Sequence, residues 1–401
     1  MNGGLITVPT TEIVSDLRKI DDQLTELYKR VAGAATNWTM PIVRALLLNL
    51  IVYARSAEEA EEAAANISEI SGTHPCRAII VDVTTPQQSS AVQSSKKQQE
   101  GCAGIITTVC GITSRGDRTL CGEIITLCLT PRADQVIGSV TPLLIGDVPV
   151  VLWIPGDIPQ DDPDFESLFL MADHVLLDSR QFADLPAGLN LIPRFCPHEG
   201  AECTSADLSW ASIQTWRELV AQHFDPPSMR HYLAKLQRVD VTFAGSRDVG
   251  SHPEAGVLHK YPPSAPLFLA CWFMLCTGLQ PRKVEHSDQG QFIIHAEQEG
   301  RSVEIRLSPT GRELPEGRIG AFVVRGGDTS DTATFIVKSV SMTEMVVTEE
   351  CPGVCLPPQV LDVVPESDAA LAARALDANR RDVVYEDVLK MASQVLKEIR
   401  S

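Results

Sequence analysis

The chain has 401 residues, 44% of them hydrophobic, with 34 Lys plus Arg against 52 Asp plus Glu for a formal net charge of −18. That length suffices for two or three domains, each burying an ordinary core. A surface this acidic repels polyanions instead of releasing counterions from them, which argues against nucleic acid and against an anionic membrane as partners.

Apolar residues at Ile13, Leu17, Ile20, Leu24, Leu27 and Val31 recur every three or four positions, so residues 13–32 are expected to form an amphipathic helical arm. Residues 1–30 carry Glu12, Asp16, Asp21, Asp22 and Glu26 where a secretory leader needs an unbroken apolar core. Residues 43–54 read as one strand covered on both faces. Ser56 then caps a helix to about Ile70, with Glu58, Glu59, Glu61 and Glu62 near its positive end. Residues 77–83 form the next strand, giving a strand–helix–strand unit whose expected geometry is a right-handed parallel crossover. Residues 87–100 are Gln- and Ser-rich, a surface loop, followed by strands at 104–110, 123–129, 148–154 and 174–177.

From Asp207 the pattern becomes helical over 207–223 and 228–239, split by Asp225-Pro226-Pro227. A more apolar helix over 265–279 ends at Gly278 and Pro281. It and the apolar run 45–53 fall short of the roughly 20 residues that cross a bilayer. Alternating segments at 291–298, 301–307, 319–325 and 333–340 read as antiparallel strands, with Gly326-Gly327-Asp328 a tight turn between two of them. Residues 368–400 return to helix, with a stripe at Val384, Val388, Met391 and Val395. The expected fold is thus an α/β N-terminal domain, with a mixed, mostly parallel sheet and flanking helices, followed by an α+β domain with helices and an antiparallel sheet, and a C-terminal helix. The expected boundaries are 1–39 for the arm, 40–190 for the Rossmann-like domain, 191–350 for the α+β domain and 351–401 for a Cys/Pro linker and last helix.

Motifs for chemistry are sparse. Residues 49–56, after the first strand, hold no glycine, and no phosphate-cradling G-x-x-x-x-G-K-[ST] or nucleophile elbow occurs anywhere. No catalytic residue and no cofactor are therefore assigned. Cys196, His198 and Cys203 are zinc-type ligands at a spacing that fits no familiar site, so no metal is assigned either. Eleven cysteines without a regular framework suit a reducing compartment, the cytoplasm. Cys271 and Cys276 read as core packing in the apolar helix. Cys351 and Cys355 flank a Pro-Gly turn that could bring their Cα atoms within the ~4.4–6.8 Å a disulfide spans. A redox switch and a proline-rich linker with two unpaired thiols both stay open.

Val140-Thr141-Pro142-Leu143-Leu144 leading to Pro149-Val150-Val151-Leu152-Trp153-Ile154-Pro155-Gly156 resembles a signature of the OpcA family, the glucose-6-phosphate dehydrogenase assembly proteins. Asp207-Leu208-Ser209-Trp210 with Thr215-Trp216-Arg217-Glu218-Leu219, the Thr73-His74-Pro75-Cys76-Arg77 turn and Pro266-Leu267-Phe268-Leu269-Ala270-Cys271-Trp272 are similar to its other blocks, in the same order. The resemblance implies a non-catalytic partner of glucose-6-phosphate dehydrogenase that promotes its active oligomeric form in the oxidative pentose phosphate route. It also implies thioredoxin as a partner in the phototroph branch and a redox-responsive cysteine pair. The chain departs from the family at its C-terminal end, where the spacing of Cys351 and Cys355 matches no family pair and their redox role rests on the Pro-Gly turn alone. Trp210, Trp216, Arg217, His74 and Arg77 are the candidate partner contacts, with the two tryptophans expected in the core and Arg217 on the same face as Trp210. The alternatives are an α/β enzyme or binding protein for a sugar phosphate, with Arg77 and His74 as anion contacts, and a thiol oxidoreductase using Cys351 and Cys355.

Overall fold

The computed structural model describes residues 10–14, 16–34, 42–83, 104–112, 119–128, 135–194, 203–245, 260–311, 314–329, 331–355, 357–377 and 381–400. They divide into two compact units: Met1–Ala183, Leu191–Leu208 and Ser367–Arg381 form the first, and Asp184–Asn190, Ser209–Glu366 and Asp382–Ser401 the second. The loop expected over 87–100 lies outside the described residues. Among the described residues no helix is long and apolar enough to cross a membrane.

The first unit holds strands β1 (Thr10–Val14), β2 (Ile42–Arg44), β3 (Asn49–Ala54), β4 (Arg77–Asp82), β5 (Gly104–Ile112), β6 (Thr119–Cys128), β7 (Val150–Ile154), β8 (His174–Leu177) and β9 (Thr204–Asp207). Their order is β1-β5-β6-β4-β3-β7-β8-β9, with β2 beside β6. From β6 through β9 every neighbouring pair is parallel, whereas β5 folds back antiparallel on β6 and β1 on β5. The helix Ala57–Ile70 makes the expected crossover from β3 to β4, and its cap is the expected one: Ser56 Oγ accepts the Glu59 N–H at 3.1 Å.

Three expectations change in this unit. The run 43–54 is two strands, because β2 pairs with β6 while β3 sits on the far side of β4, and the chain between them must cross. Leu47 N–H donates to the Pro75 carbonyl on the way. Asn49, a lone amide in that apolar run, explains the restart: buried, it donates to the Ile145 carbonyl and accepts the Ile145 N–H, both at 2.9 Å, tying β3 to the chain that enters β7. The N-terminal helix begins later than expected, at Ile20–Ala34 after a strand, since Asp16 stops the chain with its own turn onto Arg18 N–H. It is no free arm: Ile20, Leu24, Leu27 and Val31 are buried, and Tyr28 donates its hydroxyl to the Gly122 carbonyl on β6.

The second unit holds β10 (Leu236–Ala244), β11 (Gln280–His286), β12 (Phe292–Gln298), β13 (Arg301–Thr310), β14 (Ile319–Asp328), β15 (Asp331–Ser339), β16 (Glu344–Cys351), β17 (Val354–Cys355) and β18 (Gln359–Asp362). The order is β11-β12-β13-β10-β14-β15-β16-β17, with β18 beside β16. All pairs are antiparallel except β10 with β13, whose parallel crossover carries the apolar helix Ser264–Thr277. That helix ends as expected on Gly278 at φ +74°, which costs glycine little. The helix expected over 228–239 stops at Leu233, and its second half is strand β10. Val239, Val241 and Phe243 alternate into the core between β13 and β14, so sheet burial overrides the helical spacing. The Gly326-Gly327-Asp328 turn is instead the end of β14, where a Cβ on Gly326 would strike the Tyr232 carbonyl. The last expected helix is two, Asp368–Asp377 in the first unit and Val383–Arg400 in the second.

Candidate functional site

In an open parallel sheet the usual ligand site lies outside the carboxyl ends of the strands, where the strand order turns. Here that point is the junction of β3 and β7. A carboxylate occupies it. Glu59 Oε2 accepts the Arg55 N–H at 2.7 Å, and a Cβ built on Gly156, just past β7, would stand 2.9 Å from Glu59 Oε1. Glu59 therefore sits where a nucleotide-binding chain keeps a glycine turn open to pyrophosphate, and with Glu58 it complements the helix dipole that a phosphate would use. Beside it Tyr53 donates its hydroxyl to Asp162 Oδ2 at 2.6 Å. Burial, with this bond, holds the Tyr53 phenol above its ordinary pKa. Asp162 Oδ1 in turn accepts the Asp164 and Phe165 N–H groups at 3.1 Å, capping the helix Pro163–Phe169.

Arg77 lies at the opposite end, as the first residue of β4, and is buried. All three arms of its guanidinium are engaged: Nε with Glu123, Nη1 with the Leu143 carbonyl at 2.8 Å and Nη2 with Asp21 at 2.8 Å. Arg44 reaches the same Glu123 carboxylate at 2.9 Å and stacks over Tyr28. His74 is half-buried, its Nε2 3.0 Å from Asp377 and its Nδ1 3.1 Å from Thr73. Glu123 escaped the sequence reading. Its only signal was a charge inside a strand of otherwise apolar and small residues.

In the second unit Trp210 and Trp216 are buried, on the helices Leu208–Ser212 and Gln214–Phe224. Arg217 does share a face with Trp210: its guanidinium carbon lies 3.6 Å from the centre of the Trp210 ring. Trp210 Nε1 donates to Asp382 at 2.8 Å, and its ring packs on Tyr385 at 5.6 Å.

His223, further along the second helix, stacks on Phe335 at 3.7 Å and lies 3.8 Å from a Glu349 oxygen. Burial lowers its pKa, with Glu349 acting weakly the other way. Between the lowered folded value and the unfolded ~6.5, the unfolded chain binds a proton that the native ring refuses, so stability falls as pH drops through that window. Replacing His223 by Phe is expected to flatten this acid slope by at most about 1.4 kcal/mol per pH unit, measured by urea unfolding from pH 7 to 5.

Cys351 is a free thiol that donates to Glu349 Oε1 at 3.0 Å. Burial and that carboxylate push it up to about 11. Its thiolate fraction at neutral pH should be about 100-fold below that of an ordinary cysteine, and iodoacetamide labelling followed by mass spectrometry should be slower in proportion. In the hairpin β16–β17 Cys351 pairs with Val354 and Glu350 with Cys355, so the two cysteines are not opposite one another. Among the described residues the disulfide lies elsewhere: Cys110 on β5 and Cys121 on β6 face each other directly, Cα atoms 4.0 Å apart. Of the apolar-helix pair, Cys271 is buried as expected, but Cys276 is exposed because it falls in the last turn, beyond the core. Cys196 and His198 lie outside the described residues, Cys203 is half-buried with its thiol 3.7 Å from the Thr204 carbonyl, and among the described residues no three metal-type ligands gather to hold an ion.

Residues 67–193 match the sequence profile of the glucose-6-phosphate dehydrogenase subunit N-terminal domain, and residues 203–389 that of the corresponding C-terminal domain. A protein named OxPP cycle protein OpcA from Nostoc punctiforme is 29% identical over 177 residues, 44% of this chain and 35% of that protein. Its counterpart from Synechococcus elongatus is 23% identical over 334 residues, 80% of this chain and 71% of that protein. The chain thus aligns to about a third of the length of the Nostoc relative. Among solved structures, glucose-6-phosphate 1-dehydrogenase from Mycobacterium avium superposes with a TM-score of 0.49 and 11% identity over 88% of this chain and 91% of that one. With both of its domain profiles matched in order over most of the sequence, the chain belongs to the OpcA family.

Proposed function

We propose that this chain is a non-catalytic subunit that binds glucose-6-phosphate dehydrogenase, favours its assembled, active form in the oxidative pentose phosphate route, and works in the cytoplasm. The match of both domains, in order, to the dehydrogenase-subunit profiles carries this reading. The Glu59 carboxylate in the crevice between β3 and β7 supports its non-catalytic half, because an anion there repels the phosphates that a dehydrogenase cofactor or a sugar phosphate would bring. Arg77 and His74 offer that substrate little help, since both are engaged by carboxylates of the chain itself.

Activation requires that the chain bind the active form of its partner more tightly than the inactive one. Of the contacts read from sequence, half-buried Arg217 and His74 are proposed to reach the partner, while Trp210, Trp216 and Arg77 hold the surface in shape. A redox response at Cys351 and Cys355, with thioredoxin as reductant, belongs to the same proposal.

Mixing the chain with glucose-6-phosphate dehydrogenase, with and without a dithiol, tests it. Light scattering should show a heavier complex and the dehydrogenase a changed kcat/KM. Turnover of glucose 6-phosphate by the chain alone, or no change in mass or rate in either redox state, would overturn the reading.

A further inference from the structure

In the second unit the sheet buries one face only. Phe322 on β14 meets Phe273 of the apolar helix, and Phe335 on β15 meets Phe224, so the helices Ser264–Thr277 and Gln214–Phe224 lie against that side. On the other side the outward residues from β11 to β16 are half-buried or exposed except at two strand ends, Ala244 and Gly327. The register sorts this outer face into two halves. Toward β11 stands a lattice of pairs closed within the chain: Arg238 with Asp240, Arg306 with Glu304, Lys283 with Glu285. Toward β18 apolar side chains, with Val323 opposite Ile336 across β14–β15 and Val346 opposite Val360 across β16–β18, share the face with Arg325, Lys338, Glu344 and Glu350.

We propose that this outer face binds the same face of a second copy of the chain. Two observations choose that occupant. Bringing together two chains of charge −18 is costly, and the least costly contact is a face whose charges nearly balance, as they do here, by closed pairs toward β11 and by Arg325 and Lys338 against Glu344 and Glu350 toward β18. The face also has the size a dimer needs: seven strands at about 4.8 Å spacing and about seven residues of each give roughly 800 Å², close to one partner's share of a standard interface. A two-fold axis running across the strands sets Val323 and Ile336 of one copy near those of the other, and charge lattice on charge lattice, as an isologous contact demands.

Light scattering over a concentration series tests this on the full chain. Wild type should approach twice 43.6 kDa, and more completely as salt screens the net charge. Val323→Arg and Ile336→Arg should each weaken association by at least about 100-fold, since each buries two unpaired cations per dimer, with the thermal midpoint of the diluted chain unchanged. Leu170→Arg, at an exposed position of the first unit, should leave the dimer intact. A wild-type monomer at all concentrations and salts would overturn the proposal, as would a dimer indifferent to Val323→Arg. So would a monomer whose Val323→Arg variant loses only its complex with glucose-6-phosphate dehydrogenase, since the face then belongs to that partner. The proposal stands apart from the assembly function, because homodimer mass is read without the dehydrogenase.

Discussion

Replacing Glu123 by Ala is expected to destabilise the first unit by about 3–5 kcal/mol, read as a lower urea midpoint. The carboxylate is fully buried and serves two cations at once, Arg77 with a side chain only 5% exposed and Arg44 at 37%. Without it Arg77 keeps a carbonyl and Asp21 but loses its one buried counter-charge, and an uncompensated guanidinium in the interior is among the costliest defects a single substitution can make. Two further variants identify the cause. Glu123→Gln keeps the shape and should lose less. The pair Glu123→Leu with Arg77→Met removes both buried charges and should recover most of the loss, because a buried ion pair adds little over a well-packed apolar pair. A double variant as unstable as Glu123→Ala would mean that packing, not charge, holds this corner.

Trp210→Ala should cost about 3–5 kcal/mol in the second unit, the usual range for a buried Trp cut to Ala. Three contacts are lost together: the stack of Arg217, the packing on Tyr385 and the hydrogen bond to Asp382. The last matters beyond its own strength, since Asp382 also accepts the Tyr385 N–H at 3.0 Å and so starts the helix Val383–Arg400. Trp210→Phe keeps a ring against Tyr385 but leaves Asp382 one donor short, for an expected cost of about 1–2 kcal/mol. Measuring the thermal midpoint and the affinity for the proposed partner, glucose-6-phosphate dehydrogenase, on the same samples separates core from contact. A side chain that held the partner directly would lose affinity with its midpoint unmoved, and for Trp210 both should fall.

Periodicity and punctuation alone placed the crossover helix with its Ser56 cap, the strands β4, β7, β8 and β12 to β15, and the apolar helix ending on Gly278, because each is set by local signals: alternation, capping chemistry, a left-handed residue. The spacing of Trp210 and Arg217 likewise foretold the face they share, although the single helix expected over 207–223 is two, Leu208–Ser212 and Gln214–Phe224. What tertiary structure decided is the set of choices that need a neighbour distant in sequence. Whether residues 236–244 coil or extend depends on β13 and β14 lying on either side of them, and whether 42–54 is one strand or two depends on which side of β4 each half must reach. Likewise Glu123 became the centre of a charge network, and Cys110 the partner of Cys121, only when β6 was laid beside β4 and β5. Side-chain chemistry along the chain names candidates, but burial and pairing are properties of two segments at once, and no single segment encodes them.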